Sequence, residues 1–274
     1  MNNKTSFYEF ERIADRKRID FIADFLQSAL PANASILDVG CGNGVISRHL
    51  GRFGFNVTGI DVSEKAIEKA TALNQLSNVK FMTKSAEQLV AEGSRYDAII
   101  CSEVLEHLNN PDALLEVLER SLTAKGKLII TVPNGKGPRE SIITKPVLKL
   151  RNKNNRVWNL IVKSKKLLGY SGTTVQSDAD NLDHIQFFSK KDIQQLSSKH
   201  NLKIVRFGKA NFVEDVFPFS FFAKRIKFLQ VIDCKIADWL PYYFTGGFFF
   251  VCEKNDHYKT EAIKYNENSL LSIK

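Results

Sequence analysis

The sequence lacks the features that mark secreted, disulfide-rich and membrane-spanning proteins. No apolar run precedes the acid-rich stretch at residues 8–24, so no secretory signal peptide is predicted. No stretch reaches the roughly 18 apolar residues of a membrane-spanning helix, and no internal repeat is present. The few cysteines form no CxxC pair, which argues against a disulfide framework or a zinc site and favours reduced thiols in a cytosol. They are Cys41, Cys101, Cys234 and Cys252.

What the chain does contain is the composition of an ordinary globular protein. Hydrophobic residues make up 43% of its 274 residues and charged residues 25%. This length is sufficient for one well-packed α/β domain with an elaboration, or for two small domains.

Basic residues are concentrated in one segment of the chain. Between Lys136 and Lys166 there are ten basic residues and one acid, so this segment carries the whole formal net charge of +9. Apolar residues alternate with the basic ones, as in an amphipathic helix lying on a membrane surface. A solvated lid and a surface for an anionic acceptor or membrane are both open interpretations. A nucleic-acid site is disfavoured, because no RNA-binding module is visible and the rest of the chain is neutral.

Hydrophobic periodicity alternates between strands and helices along most of the chain. Strands are predicted at Ser35–Val39, Asn56–Ile60, Asn78–Met82, Tyr96–Cys101, Lys127–Val132, Leu202–Phe207 and Gly246–Cys252. Helices are predicted at 8–30, Val45–Phe53, Glu64–Asn74, Pro111–Leu122, Ser189–His200 and Phe221–Leu240, with Ser63 and Ser189 as N-caps. This alternation predicts an α/β fold with a mainly parallel sheet and helices on both faces.

The regular alternation stops after Gly135, and this divides the chain into four segments. Residues 1–135 are predicted to form a ligand-binding core. Residues 136–188 form a basic, largely helical insertion after the fifth strand that covers the ligand edge of the sheet. Residues 189–256 complete the same fold, and 257–274 form a frayed tail.

A glycine-rich loop, Gly40–Gly44, lies between the first strand and the helix that follows it. Glycines there let the backbone turn tightly and approach a ligand, while the helix presents free N–H groups. A dinucleotide site requires G-x-G-x-x-G, whereas the spacing here is G-x-G-x-G. A dinucleotide site and a purely structural turn are therefore the disfavoured alternatives.

Two acids indicate which ligand the loop binds. Asp61 ends the second strand, where a carboxylate can accept hydrogen bonds from both hydroxyls of a ribose. Asp38 lies two residues before the first glycine, where its negative charge would oppose a pyrophosphate. The same charge suits a nucleoside that carries an ammonium and a sulfonium cation, and S-adenosylmethionine is such a ligand.

Four stretches together resemble the motifs of class I methyltransferases. They are Ile36–Gly44, Val57–Ser63, Tyr96–Leu108 and Gly126–Asn134, and the resemblance covers about residues 13–135. Within the class, the chain is most similar to the ubiquinone-biosynthesis O-methyltransferase group, which also has an arginine in its first helix, where Arg18 stands. Beyond residue 135 the resemblance is limited to Asp183–Ser189. The resemblance implies a Rossmann-like, doubly wound sheet of order 3-2-1-4-5-7-6 with its last strand antiparallel.

The resemblance also implies a set of cofactor contacts, and no metal ligand is predicted. Arg18 would meet the methionine carboxylate, and Ser102 would lie beside the sulfonium. Ser85 and Ala86 would lie beside the adenine, although the group usually has an acid at the position of Ser85. The cofactor-binding residues expected for S-adenosylmethionine are Arg18, Asp38, Gly40, Cys41, Gly42, Asp61, Val62, Ser85, Ala86 and Ser102.

Transfer of a methyl group from a sulfonium needs positioning of the reactants and exclusion of water. If the acceptor is a hydroxyl, a base must remove its proton. His107, just past the fourth strand, and His184, at the end of the insertion, are the candidates, with a structural role as the alternative for each. Cys41 and Cys101 are interpreted as packing residues rather than nucleophiles.

The sequence therefore predicts an S-adenosylmethionine-dependent methyltransferase that acts on a small or lipid-linked acceptor. O-methylation of a prenylated phenol or a glycan intermediate is the favoured reaction. RNA, N- or C-methylation and a non-catalytic S-adenosylmethionine-binding protein are the alternatives. A cytoplasmic location is expected, and attachment of Lys136–Lys166 to the inner face of a membrane stays open.

Overall fold

A computed structural model of the chain describes residues 12–138, 141, 185–214, 216, 219–223 and 226–255. The strands are β1 Ser35–Val39, β2 Asn56–Asp61, β3 Val79–Thr83, β4 Tyr96–Ser102, β5 Leu122–Pro133, β6 Leu202–Lys209 and β7 Gly247–Lys254. The α-helices within these ranges are α1 Ile13–Ala29, α2 Val45–Gly51, α3 Glu64–Ala72, α4 Ala86–Ala91, α5 Pro111–Ser121, α6 Lys190–Lys199, α7 Phe219–Ala223 and α8 Lys227–Trp239. Short 3-10 turns lie at Leu105–His107 and Tyr242–Phe244.

The strands form one sheet in the order β3-β2-β1-β4-β5-β7-β6, which confirms the predicted topology. The first five strands pair in parallel, and β7 is antiparallel to both of its neighbours. The order reverses between β1 and β4. In doubly wound sheets ligands bind at such a switch point, outside the carboxyl ends of the strands. The loops after β1, β2, β4 and β5 are therefore the ones that build the site.

The central strands are buried on both faces, as expected for a parallel sheet covered by helices. Ile36 of β1 belongs to a buried cluster with Leu26 of α1. Its neighbour Leu37 points to the other face and belongs to a second cluster with Leu118 of α5. The pleat thus divides consecutive apolar residues between two cores, and this holds the sheet between its helical layers.

Local capping explains where two of the helices begin. The Ser63 hydroxyl accepts a hydrogen bond from the Ala66 N–H at the start of α3. Ser189 and Asp192 form a reciprocal capping box at the start of α6. Both predicted N-caps are therefore confirmed.

The prediction of one helix over Phe221–Leu240 was wrong, because two helices, α7 and α8, occupy this stretch. Ile226 has an extended backbone immediately before α8. The Gln230 side-chain amide donates to the Ala223 carbonyl at 2.8 Å and so satisfies a carbonyl at the end of α7. Periodicity could not reveal this break, since apolar spacing continues across it.

The predicted insertion and tail lie largely outside the described residues, so the four-segment division stays a prediction. Within the described ranges, none of the helices has the length and hydrophobicity that crossing a bilayer would require.

Candidate functional site

The glycine-rich loop has a backbone conformation that residues with a Cβ could not adopt without strain or steric clashes. Gly40, Gly42 and Gly44 have φ values of 65°, 54° and 77°, in the left-handed region. A Cβ on Gly40 would lie 2.6 Å from a methyl group of Val104, in the loop after β4. A Cβ on Gly44 would lie 2.3 Å from the Phe81 ring. Alternate left-handed residues therefore explain the G-x-G-x-G spacing, and the loops after β1 and β4 are in close contact.

Asp61 holds this loop from the end of β2. One carboxylate oxygen accepts a hydrogen bond from the Gly42 N–H at 2.9 Å, and the other accepts from the Ser63 N–H at 2.9 Å. Each oxygen has a second lone pair, and the side chain is only half-buried. The structure thus brings together two predicted site residues, Gly42 and Asp61, and leaves the carboxylate able to accept further hydrogen bonds.

An apolar surface and the end of β3 lie beside Asp61. Val62 is 78% exposed. The Lys84 N–H donates to the Asp61 carbonyl at 3.1 Å, which places Ser85 close to the second strand. Ser85 is half-buried, whereas the Ala86 side chain is buried at the start of α4. Val62 and Ser85 therefore offer accessible surface next to the carboxylate.

Asp38 lies beneath the loop, whereas the sequence interpretation placed it against the ligand. Its side chain is 1% exposed, and one carboxylate oxygen accepts a hydrogen bond from the Ser47 hydroxyl at 2.6 Å. Burial raises the pKa of Asp38 from 3.8 to about 7, opposed by the Ser47 hydrogen bond and reinforced by the negative charge of Asp61. Ser47 was missed from the sequence, and its only signal was a polar residue on the inner face of α2.

The raised pKa predicts a stability that depends on pH. Between about pH 4 and pH 7 the folded chain keeps the Asp38 proton that the unfolded chain releases. The contribution of Asp38 to the free energy of unfolding should therefore fall by about 1.4 kcal/mol per pH unit as pH rises through this window. Urea denaturation at several pH values should show that Asp38→Asn, which keeps an acceptor for Ser47, removes this fall. The exposed Asp24→Asn control should retain it, and equal slopes in both variants would contradict the prediction.

A polar network joins α1 to the ends of β4 and β5. The buried guanidinium of Arg18 lies 3.2 Å from an Asp15 oxygen and 3.3 Å from a Glu103 oxygen. The same Glu103 oxygen accepts from the Thr131 hydroxyl at 2.9 Å. The hydroxyls of Thr131 and Ser102 are 2.9 Å apart. The predicted residues Arg18 and Ser102 thus lie in one network.

Glu103 has a φ of 57°, in the left-handed region that a residue with a side chain rarely adopts. Such strain is concentrated at functional sites, where surrounding contacts hold it. The roles of Asp15, Glu103 and Thr131 in holding Arg18 were missed from the sequence. The spacing of three residues between Asp15 and Arg18 was the available signal for one of them.

His107 closes the Leu105–His107 turn after β4. Its imidazole Nε2 lies 3.9 Å from a carboxylate oxygen of the buried Glu106. The Glu106 carbonyl accepts hydrogen bonds from the N–H groups of Ile185 and Gln186, at 2.8 and 2.9 Å. The chain that follows the insertion therefore returns to this turn, while His184 itself lies outside the described residues.

The two cysteines near the loop show no sign of reactivity. Burial raises the pKa values of the Cys41 and Cys101 thiols, and the negative charge of nearby carboxylates acts in the same direction. Both thiols therefore stay protonated, which opposes a nucleophilic role. Among the described residues, no group of histidine, cysteine and acidic side chains is arranged to hold a metal ion.

Comparison with known proteins gives both a family and a fold. The family model described as a methyltransferase domain matches residues 10–206. The chain is 35% identical over 121 residues to the ubiquinone biosynthesis O-methyltransferase of Xanthomonas axonopodis pv. citri (strain 306), a match that covers 43% of this chain and 49% of that protein. The chain thus spans about half the length of the curated relatives it matches.

Solved structures share the fold at low sequence identity. The magnesium protoporphyrin IX methyltransferase of Synechocystis PCC 6803 with bound SAH has a TM-score of 0.54 at 18% identity, covering 93% of this chain and 90% of that one. The (4+2)-cyclase SpnF has a TM-score of 0.53 at 16% identity, covering 86% of this chain and 81% of that one. The fold therefore supports more than one reaction. The family model matches well over half of the residues of this chain. The chain therefore belongs to the methyltransferase domain family, within the class I S-adenosylmethionine-dependent methyltransferases.

Proposed function

We propose that the chain binds S-adenosylmethionine at the Gly40–Gly44 loop and transfers its methyl group to a hydroxyl of a small or lipid-linked acceptor. The observation that carries the proposal is the arrangement of Asp61, which holds the glycine loop through Gly42 and keeps free lone pairs at the switch point of the sheet. A prenylated phenol or a membrane-bound glycan intermediate is the proposed acceptor class.

The residues present fit this cofactor. Gly40, Gly42 and Gly44 have left-handed backbone conformations and carry no side chains, so no Cβ stands between the loop and a ligand. Asp61 can accept from ribose hydroxyls, and the exposed Val62 offers an apolar surface for an adenine. A cationic ligand above the loop would favour the ionised form of the buried Asp38, and that negative charge would oppose a pyrophosphate.

The donor-binding residues act by positioning. When bound, S-adenosylmethionine supplies an activated methyl group on a sulfonium. Arg18 would pair with the methionine carboxylate. Asp15 and Glu103 form ion pairs with its guanidinium, which belongs to the same polar network as Ser102. Ser102 would then lie beside the sulfonium end, as the resemblance implies. Holding both reactants in line is the main contribution the protein makes to this reaction.

The acceptor side needs a base and a dry environment. His107 lies in the turn after β4 with Glu106 beside it, and a nearby carboxylate favours the protonated imidazole that forms when a hydroxyl gives up its proton. His184 immediately precedes Ile185, whose N–H binds the Glu106 carbonyl, and it remains the second proposed base. A contribution of Lys136–Lys166 to binding an anionic acceptor or membrane, and a cytoplasmic location, also remain proposals.

The first experiment is calorimetric titration of the protein with S-adenosylmethionine and with S-adenosylhomocysteine. Micromolar binding of both is expected, and binding of neither would refute the assignment of the glycine loop. Methyl transfer from labelled donor should then be measured with polyprenyl phenols and lipid-linked sugars.

Variants of the two histidines separate donor binding from transfer. His107→Asn or His184→Asn should lower transfer and leave donor binding unchanged, because a base acts only on the acceptor.

Donor binding without transfer to any acceptor would instead support the non-catalytic alternative. Salt-sensitive RNA binding would support RNA methylation.

A further inference from the structure

Helix α8 has its apolar side facing outward. Phe228, Ile232, Ile236 and Trp239 repeat at helical spacing and are 69%, 36%, 42% and 92% exposed. The opposite side of the helix is buried and includes Gln230 and Asp233. On a surface helix of a monomeric soluble protein, the apolar side normally faces the core and the polar side faces the solvent. The outer face of α8 therefore has the character of a contact surface.

Hydrogen bonds fix this orientation. The side-chain amide oxygen of Gln230 accepts a hydrogen bond from the Ile13 N–H at 3.0 Å. The carboxylate oxygens of Asp233 accept from the N–H groups of Phe212 and Val213 at 2.8 and 2.9 Å. Rotating α8 to bury its apolar side would leave these buried polar groups without partners, which strongly disfavours that rotation. The outward apolar side is thus part of the folded state.

Two further exposed aromatic residues follow α8 in the chain. Tyr243 and Phe244, in the turn that follows α8, are both more than half exposed. The buried side-chain amide of Asn134, at the end of β5, donates to the carbonyls of Tyr243 and Thr245 at 3.4 and 2.8 Å. This turn is therefore attached to the carboxyl edge of the sheet. We define the outer α8 surface as Phe228, Ile232, Ile236, Trp239, Tyr243 and Phe244.

The charges beside the outer α8 surface are positive. Lys227 and Lys235 are exposed on α8. The acid on the exposed part of the helix, Asp238, is paired with Lys17 at 2.7 Å. In a symmetric contact between two copies these lysines would face an equally cationic surface. An anionic lipid bilayer would pair with them and would also take up phenylalanine and tryptophan at its interface.

We propose that the outer α8 surface docks on an anionic lipid bilayer, with the carboxyl edge of the sheet turned towards the membrane. This goes beyond methyl transfer and assigns the membrane contact to residues other than Lys136–Lys166. A bilayer contact here would bring a lipid-linked acceptor to the end of β5 without extracting it from the membrane. Docking of the outer α8 surface requires no bound cofactor, so donor binding can be intact whether or not docking occurs.

Tryptophan fluorescence tests the proposal directly, because the chain contains two tryptophans, Trp158 and Trp239. In a Trp158→Phe background, Trp239 becomes the only reporter. Its emission should shift to the blue with phosphatidylcholine vesicles that contain phosphatidylglycerol, and lipids brominated on their acyl chains should quench it. Absence of both changes would overturn the proposal.

Co-sedimentation with the same vesicles compares two triple variants. Phe228→Ser/Ile232→Ser/Trp239→Ser should lower vesicle partitioning by more than about tenfold, since most of the apolar contact is lost. Phe53→Ser/Leu73→Ser/Val205→Ser changes apolar residues that are exposed elsewhere and should partition like the unchanged chain. Equal partitioning of both variants would overturn the proposal.

Two other outcomes would reassign the surface. A doubled mass in light scattering without vesicles, abolished by the first triple variant, would assign it to a second copy. Partitioning that survives the first triple variant but disappears when Lys149, Arg151 and Lys153 are neutralised would assign membrane contact to the basic segment. Calorimetry with S-adenosylmethionine on the first triple variant should show unchanged affinity, which separates this proposal from the proposed function.

Discussion

Replacing Asp61 with alanine is expected to weaken S-adenosylmethionine binding by at least about 100-fold. The carboxylate would accept hydrogen bonds from two ribose hydroxyls, and hydrogen bonds to a charged group contribute about 1.5–3 kcal/mol each. The same substitution removes the acceptor of the Gly42 N–H and so releases the glycine loop that we propose contacts the methionyl part. Calorimetric titration of the folded variant measures the loss.

Two variants distinguish ligand contact from loop support. Asp61→Asn places an amide N–H group against either the Gly42 or the Ser63 N–H, so an intermediate loss is expected. Ser63→Ala removes a helix cap at about 1 kcal/mol of stability and should leave donor affinity nearly unchanged. Unchanged affinity in Asp61→Ala would refute the ribose assignment.

Replacing Gly135 with alanine is expected to lower methyl transfer by about 100-fold while donor binding persists, because a displacement near 1 Å is sufficient for such a loss. A Cβ on Gly135 would lie 2.3 Å from the Phe187 carbonyl carbon and 2.5 Å from its oxygen. These are backbone atoms, so the segment that returns from the insertion must move away from β5. The hydrogen bond from the Gly135 N–H to the Phe188 carbonyl, 2.8 Å long, would be strained as well.

Donor calorimetry, transfer assays and urea denaturation together check this prediction. The free energy of unfolding should fall by about 1–3 kcal/mol, as for other overpacked sites. Gly54→Ala is the control for transfer, since a Cβ there would meet no atom within 4 Å and the residue precedes β2 at the opposite edge of the sheet; its φ of 88° gives it a stability cost of its own, but transfer should be unchanged. Parallel loss of donor binding and transfer would show that Gly135 supports the whole fold rather than the acceptor side.

Much of the fold follows from local sequence patterns. β1 spans Ser35–Val39 as predicted, because a strand buried on both faces appears as a short apolar run. The short helix α4 was not predicted, since six residues are too few to show a helical period. The split between α7 and α8 was also missed, because a side-chain hydrogen bond from Gln230, seven residues further along the chain, satisfies a carbonyl at the end of α7 and leaves no mark in the apolar spacing.

The sequence likewise predicted one part of the candidate site and missed another. The glycine loop and the acid at the end of β2 were recognisable, because a left-handed turn requires glycine at fixed spacing and a strand end has a fixed position in a parallel sheet. The partners of Arg18 were not recognisable. Glu103 and Thr131 come from different strand ends, and their approach to α1 depends on how the helix packs on the sheet.

The sequence by itself determined the class of the protein, the order of its elements and the loop proposed to bind the cofactor, because these depend on backbone conformation and near-neighbour spacing. Only the tertiary structure decided that Asp38 lies beneath the loop and that α8 turns its apolar side outward. The first depends on how α2 packs on β1, which brings the Ser47 hydroxyl to Asp38, and the second on hydrogen bonds between residues distant in sequence, such as Asp233 with Phe212. Such contacts leave no periodic pattern, so they become visible only when the chain is folded.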